Sequence, residues 1–523
     1  MNDNLLTDAV IAVRGAGPDG ERRLSLPGVL AALGRDEVAE FPALRPHQRH
    51  PWHAFLCQVA VLALERAGEA EPPRDEAAWR ELLRGLTPGF PDDEPWRLVV
   101  ADLAKPAFLQ PPVPEGSLAG FKVKKEVDYA SPGNLDVLVT AKEHGEKDAN
   151  PAGDDAEQWL LGLLMLQTFS GYYGKGNQGV VRQNGGHAAR QGVSLEVSLR
   201  PGPNWLRDCR IILGGLDEIR GKHAYSEHDG MGLLWLPSWR GGKGEALPLQ
   251  KLHPMFVEVC RRVRLIHSGE GEVVYRCTGS EAQRVAAKQY CGVLGDPWLP
   301  LNRSKKGGSS FNQKPTYGVA WHVLFDDEQY EASLLQRFHG GDPDTGVRAV
   351  FRVFARTEGG SDGYHERVVP IEKKHVGFFT LHRDRAAETA KEMVGYVKIA
   401  GDALVLALLQ LVQAAARKEP SRKQKETYAW ARHKFEESFE SRVDNEFFPY
   451  LWRCLDARGE APMAEEHFAF WGRFLARTAL TVLQDAAKSL PTQSALRYRA
   501  RARAENKLRG AIRKLLAQRS GNA

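Results

Sequence analysis

The sequence predicts an α+β protein. A large mixed N-terminal domain of irregular sheets and helices spans residues 1–380, and a C-terminal four-helix bundle spans 381–523. Three observations predict it. The 523 residues exceed what one ordinary hydrophobic core organises. A composition of 42% hydrophobic and 26% charged residues is that of a packed chain and not of a disordered one. Near residue 380 the pattern changes from short runs broken by glycine pairs to four long amphipathic runs.

Residues 1–125 mix short strands and helices. Trp52–Ala67 is apolar on most faces and reads as a core helix, and Trp79–Leu86 reads as a second helix. The Pro-rich run Pro106–Pro114 reads as extended. Residues 140–158 are polar and form a loop, leading into a helix from about Asp155 to Phe169. Glycines then crowd positions 171, 174, 176, 179, 185 and 186. Residues 190–380 read as mostly β, with turns at Gly241-Gly242, Gly307-Gly308 and Gly359-Gly360 and a basic loop at Asn302–Gln313.

The helical runs of the last third are about Asp384–Lys418, Lys423–Leu455, Ala464–Leu490 and Gln493–Gln518. Phe435, Phe439, Val443 and Phe447 step by four along the second, where Pro449 is expected to end or kink the helix. Phe468, Trp471, Leu475, Thr478 and Val482 mark the buried face of the third. Short joints at Pro420, Pro462 and Pro491 predict antiparallel neighbours, hence a bundle. The most apolar stretch, Met393–Val412, carries Lys398 and Asp402, so a buried helix is expected and not a membrane span.

Composition narrows the chemistry. The six cysteines form no C-x-x-C pair, which supports neither a zinc nor a redox motif and suits a reducing cytoplasm. The first residues, with Asp3 and Asp8, lack a signal-peptide pattern, so a cytoplasmic protein is expected. His47, His50 and His53 cluster, but Pro51 is read as breaking a helix between them, so solvated or capping roles are expected and no metal. The sequence carries no H-E-x-x-H, no G-x-S-x-G and no Walker loop. The expectation is a protein that is not an enzyme and uses no cofactor.

Charge distribution points to nucleic acid. Net charge is only +5, yet from Lys488 to Arg519 ten basic residues face a single acid, Glu505. Within that run Arg497, Arg499, Arg501 and Arg503 alternate, and Lys507 lies four residues beyond. On a helix alternate residues step about 200° apart, which divides the arginines between two faces. One face suits phosphates and the other suits acids of the bundle; a solvated face with intrahelical pairs fits equally. The cluster Ser170–Gly179 combines glycines with Lys175, Asn177 and Gln178, so its backbone could approach a DNA groove, although a surface turn has the same composition. Gly359–His365 reads as a tight turn with Tyr364 near its tip, an ordinary hairpin or a wedge for a base step.

Several segments together resemble the CasA family, the large subunit of the type I-E CRISPR Cascade complex. They are Asn4–Arg14, Arg45–Phe55, Pro106-Ala-Phe-Leu-Gln110, the stretch Gln167–Gly186, Gly232-Leu-Leu-Trp-Leu-Pro237 and Asp296-Pro297, in that order before a terminal helical bundle. The opening segment lacks the Trp and Pro of the family's start. The resemblance implies a non-catalytic subunit that contacts the guide RNA 5′ end and other Cascade subunits. Such a subunit reads a PAM in double-stranded target DNA, promotes duplex opening and R-loop formation, and helps recruit a helicase-nuclease. It implies a PAM loop at Gly174, Lys175, Gly176, Asn177 and Gln178, a groove-inserting lysine at Lys288, and a wedge at Asp362, Gly363 and Tyr364. Guide RNA or subunit contacts would lie at Thr140, Lys142 and His144, and a DNA-guiding surface on the basic last helix. Two other readings stay open: a structural bridging subunit of another CRISPR-type assembly, and a metal-dependent nuclease.

Overall fold

The computed structural model describes residues 3–15, 17, 20–121, 131–136, 155–169, 182, 190–242, 244–269, 271–281, 283–303, 314–342, 346–357, 360–415, 425–457, 461–489 and 494–520. Contacts divide the chain into two units. The first is Met1–Pro315 with Asp327–Lys373, and the second is Thr316–Asp326 with Lys374–Ala523.

In the first unit, β1 (Ile11–Gly15) lies between β2 (Glu21–Leu24) and β3 (Val38–Glu40) in an antiparallel sheet. Helix α1 (Leu26–Gly34) begins after Ser25, whose Oγ accepts from Gly28 N at 3.1 Å and caps the helix. Helix α2 (Arg49–Ala67) is the core helix its composition predicts, buried on nearly every face. It starts at Arg49, so Pro51 does not interrupt it: a proline in the first turn removes an N–H that has no helical acceptor. Two of the three histidines are accordingly not solvated, and His53 is only partly exposed. His47 and His50 are buried, and His47 Nε2 lies 2.7 Å from Asp136 Oδ2.

Helix α3 (Glu76–Gly85) presents Trp79 and Leu83 to this core. The Pro-rich stretch expected to be extended contains a tight turn. Ala107 pairs with Gln110, and Leu109 takes φ 57°, an uncommon left-handed conformation for a branched residue. Gln110 fixes that turn from inside: its Nε2 donates to Leu98 O at 2.7 Å and its Oε1 accepts from Leu265 N at 2.6 Å. The turn delivers Phe108 into a cage with Phe55, Trp96 and Trp235. Nine of the twelve tryptophans are among the largest fully buried side chains, so they serve as core anchors and not as exposed stacking faces.

Helix α4 (Ala156–Leu164) begins where the sequence places it, with Asp155 Oδ1 accepting from Glu157 N at 3.1 Å. Its Glu157 is buried, accepts from Ala12 N at 2.9 Å and lies 3.8 Å from Arg23. Burial pushes this carboxyl up to about 7, against the pull of the Ala12 N–H and Arg23. The native state therefore holds a proton that the unfolded chain releases at a lower pH. Its contribution to stability is full below the unfolded carboxylate range and is lost as pH rises through about 7. Glu157→Gln should flatten the fall in stability between pH 5 and pH 8 by about 2–3 kcal/mol in urea titrations. Parallel pH dependences for the two proteins would show that Glu157 is already ionised in the folded state.

The remaining strands are β4 (Gly192–Glu196), β5 (Met231–Leu233), β6 (Leu252–Val257), β7 (Arg262–His267), β8 (Val273–Thr278), β9 (Leu301–Asn302), β10 (Tyr330–Glu331), β11 (Val347–Thr357) and β12 (Gly360–Ile371). They form small sheets, of which β12-β11-β4 is the longest. Helix α5 (Pro201–Lys222) packs on α1 and α2.

The second unit is helical. Helix α6 (Tyr317–Phe325) is capped by Asp444, whose Oδ1 accepts from Tyr317 N at 2.5 Å. Then come α7 (Arg383–Ala415), α8 (Lys425–Lys434), a π-helical turn Phe435–Glu440, α9 (Ser441–Ala457), α10 (Ala461–Ser489) and α11 (Ser494–Ser520). The run from α8 to α9 forms one arm, so four arms build the bundle. Pro449 does not end its helix, which continues to Ala457, because Phe447, Phe448, Leu451 and Trp452 are all buried around it. The stripe read from Phe468 to Val482 is buried throughout. Helix α7 is long and apolar enough to cross a membrane, but its Met393, Val397, Leu404 and Leu408 are buried and it packs on α10 and α11.

Candidate nucleic-acid interface

The expected PAM loop residues Gly174, Lys175, Gly176, Asn177 and Gln178 lie outside the described residues, as do Thr140, Lys142 and His144. The residues that flank the glycine-rich segment, and Arg182 within it, are described. Helix α4 ends in a π-helical turn, Met165–Phe169, directly before it. Such turns add one residue to a helix and re-aim the chain beyond them. Gln167 locks the turn in place. Its Nε2 donates to Leu109 O at 2.8 Å and Arg261 O at 3.0 Å, and its Oε1 accepts from Cys260 N at 3.0 Å and Arg261 N at 2.8 Å. A buried amide thus uses its whole bonding capacity.

The segment's two ends meet. Arg190 N donates to Phe169 O at 2.7 Å. Midway, Arg182 is driven into the core, donating to Phe256 O and Pro254 O with its guanidinium 4.6 Å from the Phe256 ring. Arg182 Nε and Arg190 Nη2 lie 3.2 Å and 3.7 Å from one oxygen, Asp296 Oδ2. Arg190 also donates to Glu258 Oε1 at 3.0 Å. Two arginines and two acids therefore form a buried, charge-balanced network. Sequence reading missed Gln167, Arg182 and Arg190. The signal available was one amide and two arginines bracketing glycines beside otherwise apolar runs.

The hairpin of β11 and β12 meets the same root. Phe169, Met165 and Phe354 form a small apolar cluster on which Tyr364 packs, with Phe169 and Phe354 centroids 5.6 Å apart. The structure does not place Tyr364 at a tight turn. It pairs with Phe354 inside the ladder, and Gly363 pairs with Ala355. The next pair is Arg356 with Ser361, so Asp362 is the extra residue of a bulge, and Gly363 takes φ 94° to accommodate it. The side chain of Asp362 lies outside the described residues. Tyr364 Oη donates to Glu366 Oε2 at 3.1 Å, and burial pushes the phenol's pKa upward.

Lys288 falls in the short helical turn Ala286–Tyr290, and its side chain lies outside the described residues. On α11, Ala500, Ala504, Leu508 and Ile512 are buried at steps of four and face the bundle. Arg499, Arg503 and Lys507 form a parallel exposed row without an ion-pair partner among the described residues. Arg501 Nε instead donates to Glu505 Oε1 at 2.7 Å, one turn on. The run of alternating arginines is therefore divided as the helical spacing predicts, with Arg497 and Arg501 half-buried on one flank. Tyr498, 74% exposed beside Arg499, adds a flat face that composition alone did not single out.

No family model and no curated protein matches the chain. Solved structures do. CasA of Thermus thermophilus superposes with a TM-score of 0.61 at 16% identity, covering 98% of this chain and 100% of that one. The CRISPR-associated protein Cse1 of Acidimicrobium ferrooxidans gives 0.62 at 15% identity over 99% and 98%. Cse1 of Thermobifida fusca gives 0.60 at 16% identity over 99% and 98%. The chain thus has the CasA/Cse1 fold from end to end, the fold its short motifs resemble.

Proposed function

We propose that this chain is the large subunit of a type I-E CRISPR surveillance complex, a cytoplasmic, non-catalytic protein that reads the PAM in double-stranded DNA and promotes duplex opening. The observation that carries this reading is the end-to-end likeness to CasA and Cse1 structures, with coverage of 98–99% of this chain. In this reading residues 1–380 supply PAM reading and the contacts to guide RNA and other Cascade subunits, while 381–523 form the bundle that guides DNA. Gly174–Gln178 would present backbone and Lys175 to the groove from a frame held by Gln167, Arg182 and Arg190. A glycine-rich reader of the minor groove discriminates weakly and suits several PAMs. Base pairing with the guide would supply the rest of the specificity, and the assembled complex would recruit a helicase-nuclease.

The test is target binding by the guide-loaded complex across a PAM library, with wild-type chain, with Lys175→Ala, and without the subunit. Omission should abolish PAM preference. Lys175→Ala should weaken PAM-matched duplexes roughly tenfold while sparing a target opened in advance. Equal loss for every PAM on omission would make the chain a nonspecific clamp, and no change would reject the reading.

A further inference from the structure

The fold brings together three side chains, one of them far from the other two in sequence. His53 and Cys57 are one turn apart on α2, a spacing that puts both on one helix face. Asp208 comes from α5, which packs against α2. His53 Nε2 lies 2.8 Å from Asp208 Oδ2 and 3.6 Å from Cys57 Sγ, and one donor atom from each residue falls within 4.8 Å of the others. Among the described residues this is the one His/Cys/Asp/Glu group that converges so closely.

One imidazole nitrogen faces both a carboxylate and a thiol. With a proton, it donates to Asp208 and cannot accept from Cys57, whose thiol is left to Cys209. Arg207 reaches only the other oxygen of Asp208, at 3.4 Å, and is held mainly by Asp342 and backbone carbonyls. Three donor atoms of metal-binding type therefore converge on one point, and a single cation can be bound by all of them together.

We propose that His53, Cys57 and Asp208 form a binding site for a divalent transition-metal ion of the zinc class. The donor set of imidazole, thiolate and carboxylate suits that ion and brings two negative charges to balance it. Tetrahedral bonds of about 2.0–2.3 Å separate donor atoms by roughly 3.3–3.7 Å, so the sulfur–nitrogen distance already fits and the nitrogen–oxygen distance must open by about half an ångström. His53 and Asp208 also line a cavity of about 430 Å³, whose wall includes Arg49, Trp52 and Arg352. The ion therefore sits in the cavity wall with its fourth position available to water or to a donor atom entering the cavity. Burial together with Cys209 and Asp208 holds the Cys57 thiol's pKa well above the ordinary range, so the cation must displace its proton on binding.

The test is titration of the chelator-treated full-length chain with Co²⁺ and then Zn²⁺. One equivalent of Co²⁺ should give visible bands of tetrahedral intensity and a near-ultraviolet thiolate-to-cobalt charge-transfer band, both bleached by Zn²⁺. Cys57→Ser should remove the charge-transfer band. His53→Gln, at a half-exposed position, should weaken binding roughly tenfold or more. Cys277→Ala and Cys291→Ala, which alter the two cysteines that are not fully buried, should change neither. Weak octahedral spectra without charge transfer would overturn the site. So would a band that survives Cys57→Ser in folded protein, or one lost only in the Cys277 or Cys291 variants.

Discussion

Asp296→Ala should destabilise the first unit by about 3–5 kcal/mol, the cost typical of removing one partner from a buried ion pair. Asp296 Oδ2 is the one atom facing both Arg182 and Arg190, and all three side chains are at most 1% exposed. Its loss leaves Glu258 as the only acid of the network. Asp296 Oδ1 also accepts from Trp298 N at 3.0 Å, so the chain that turns into Trp298 loses its anchor as well. Asp296→Asn keeps an acceptor there and should fall between wild type and alanine. Urea unfolding, read from the first transition, checks the order. Limited proteolysis should cut between residues 169 and 190 faster in the alanine variant, because both pins of that segment depend on the same carboxylate. An alanine variant with the wild-type midpoint would show that the arginines are adequately held by the carbonyls of Phe256 and Pro254 and by Glu258.

Reversing Arg499 and Arg503 to Glu should make the salt dependence of DNA binding by the assembled complex shallower. Loss of two phosphate contacts removes about 1.8 from the slope of log affinity against log salt, and affinity at moderate salt should fall roughly tenfold or more. Both positions are exposed on a row about 100° around α11 from its buried stripe, so folding stability should change by less than about 0.5 kcal/mol. Arg501→Glu is the contrasting variant. Arg501 is held by Glu505, so its reversal breaks an intrahelical pair and removes little from DNA binding. An unchanged slope in the double variant would take α11 off the DNA path.

The bundle was legible because its signals are local. Helical period, apolar steps of four and prolines at the joints all lie within one helix length of each other. The first unit was less so, because its pairings are distant. Strand β4 pairs with β11 across some 150 positions, and no local pattern announces that register. Pro51 and the Pro106–Pro114 run were misread for one reason. Proline restricts φ and removes a donor, yet the effect depends on position: it is harmless in a first turn, and compatible with the turn that Gln110 stabilises from across the core. The residues flanking the glycine-rich segment, Gln167 and Arg182 with their partner Asp296, were not legible. The chemistry of those residues comes from the groups they reach, and those groups are far away in the chain.

Arg182 has one more consequence, for how such a protein can change over generations. It shares one carboxylate, Asp296, with Arg190, which in turn pairs with Glu258. Losing either acid alone strands a buried cation, and losing either arginine alone strands a buried anion. The four positions are therefore inherited as a set, and a lineage that gives up one of these charges is expected to give up its counterpart as well.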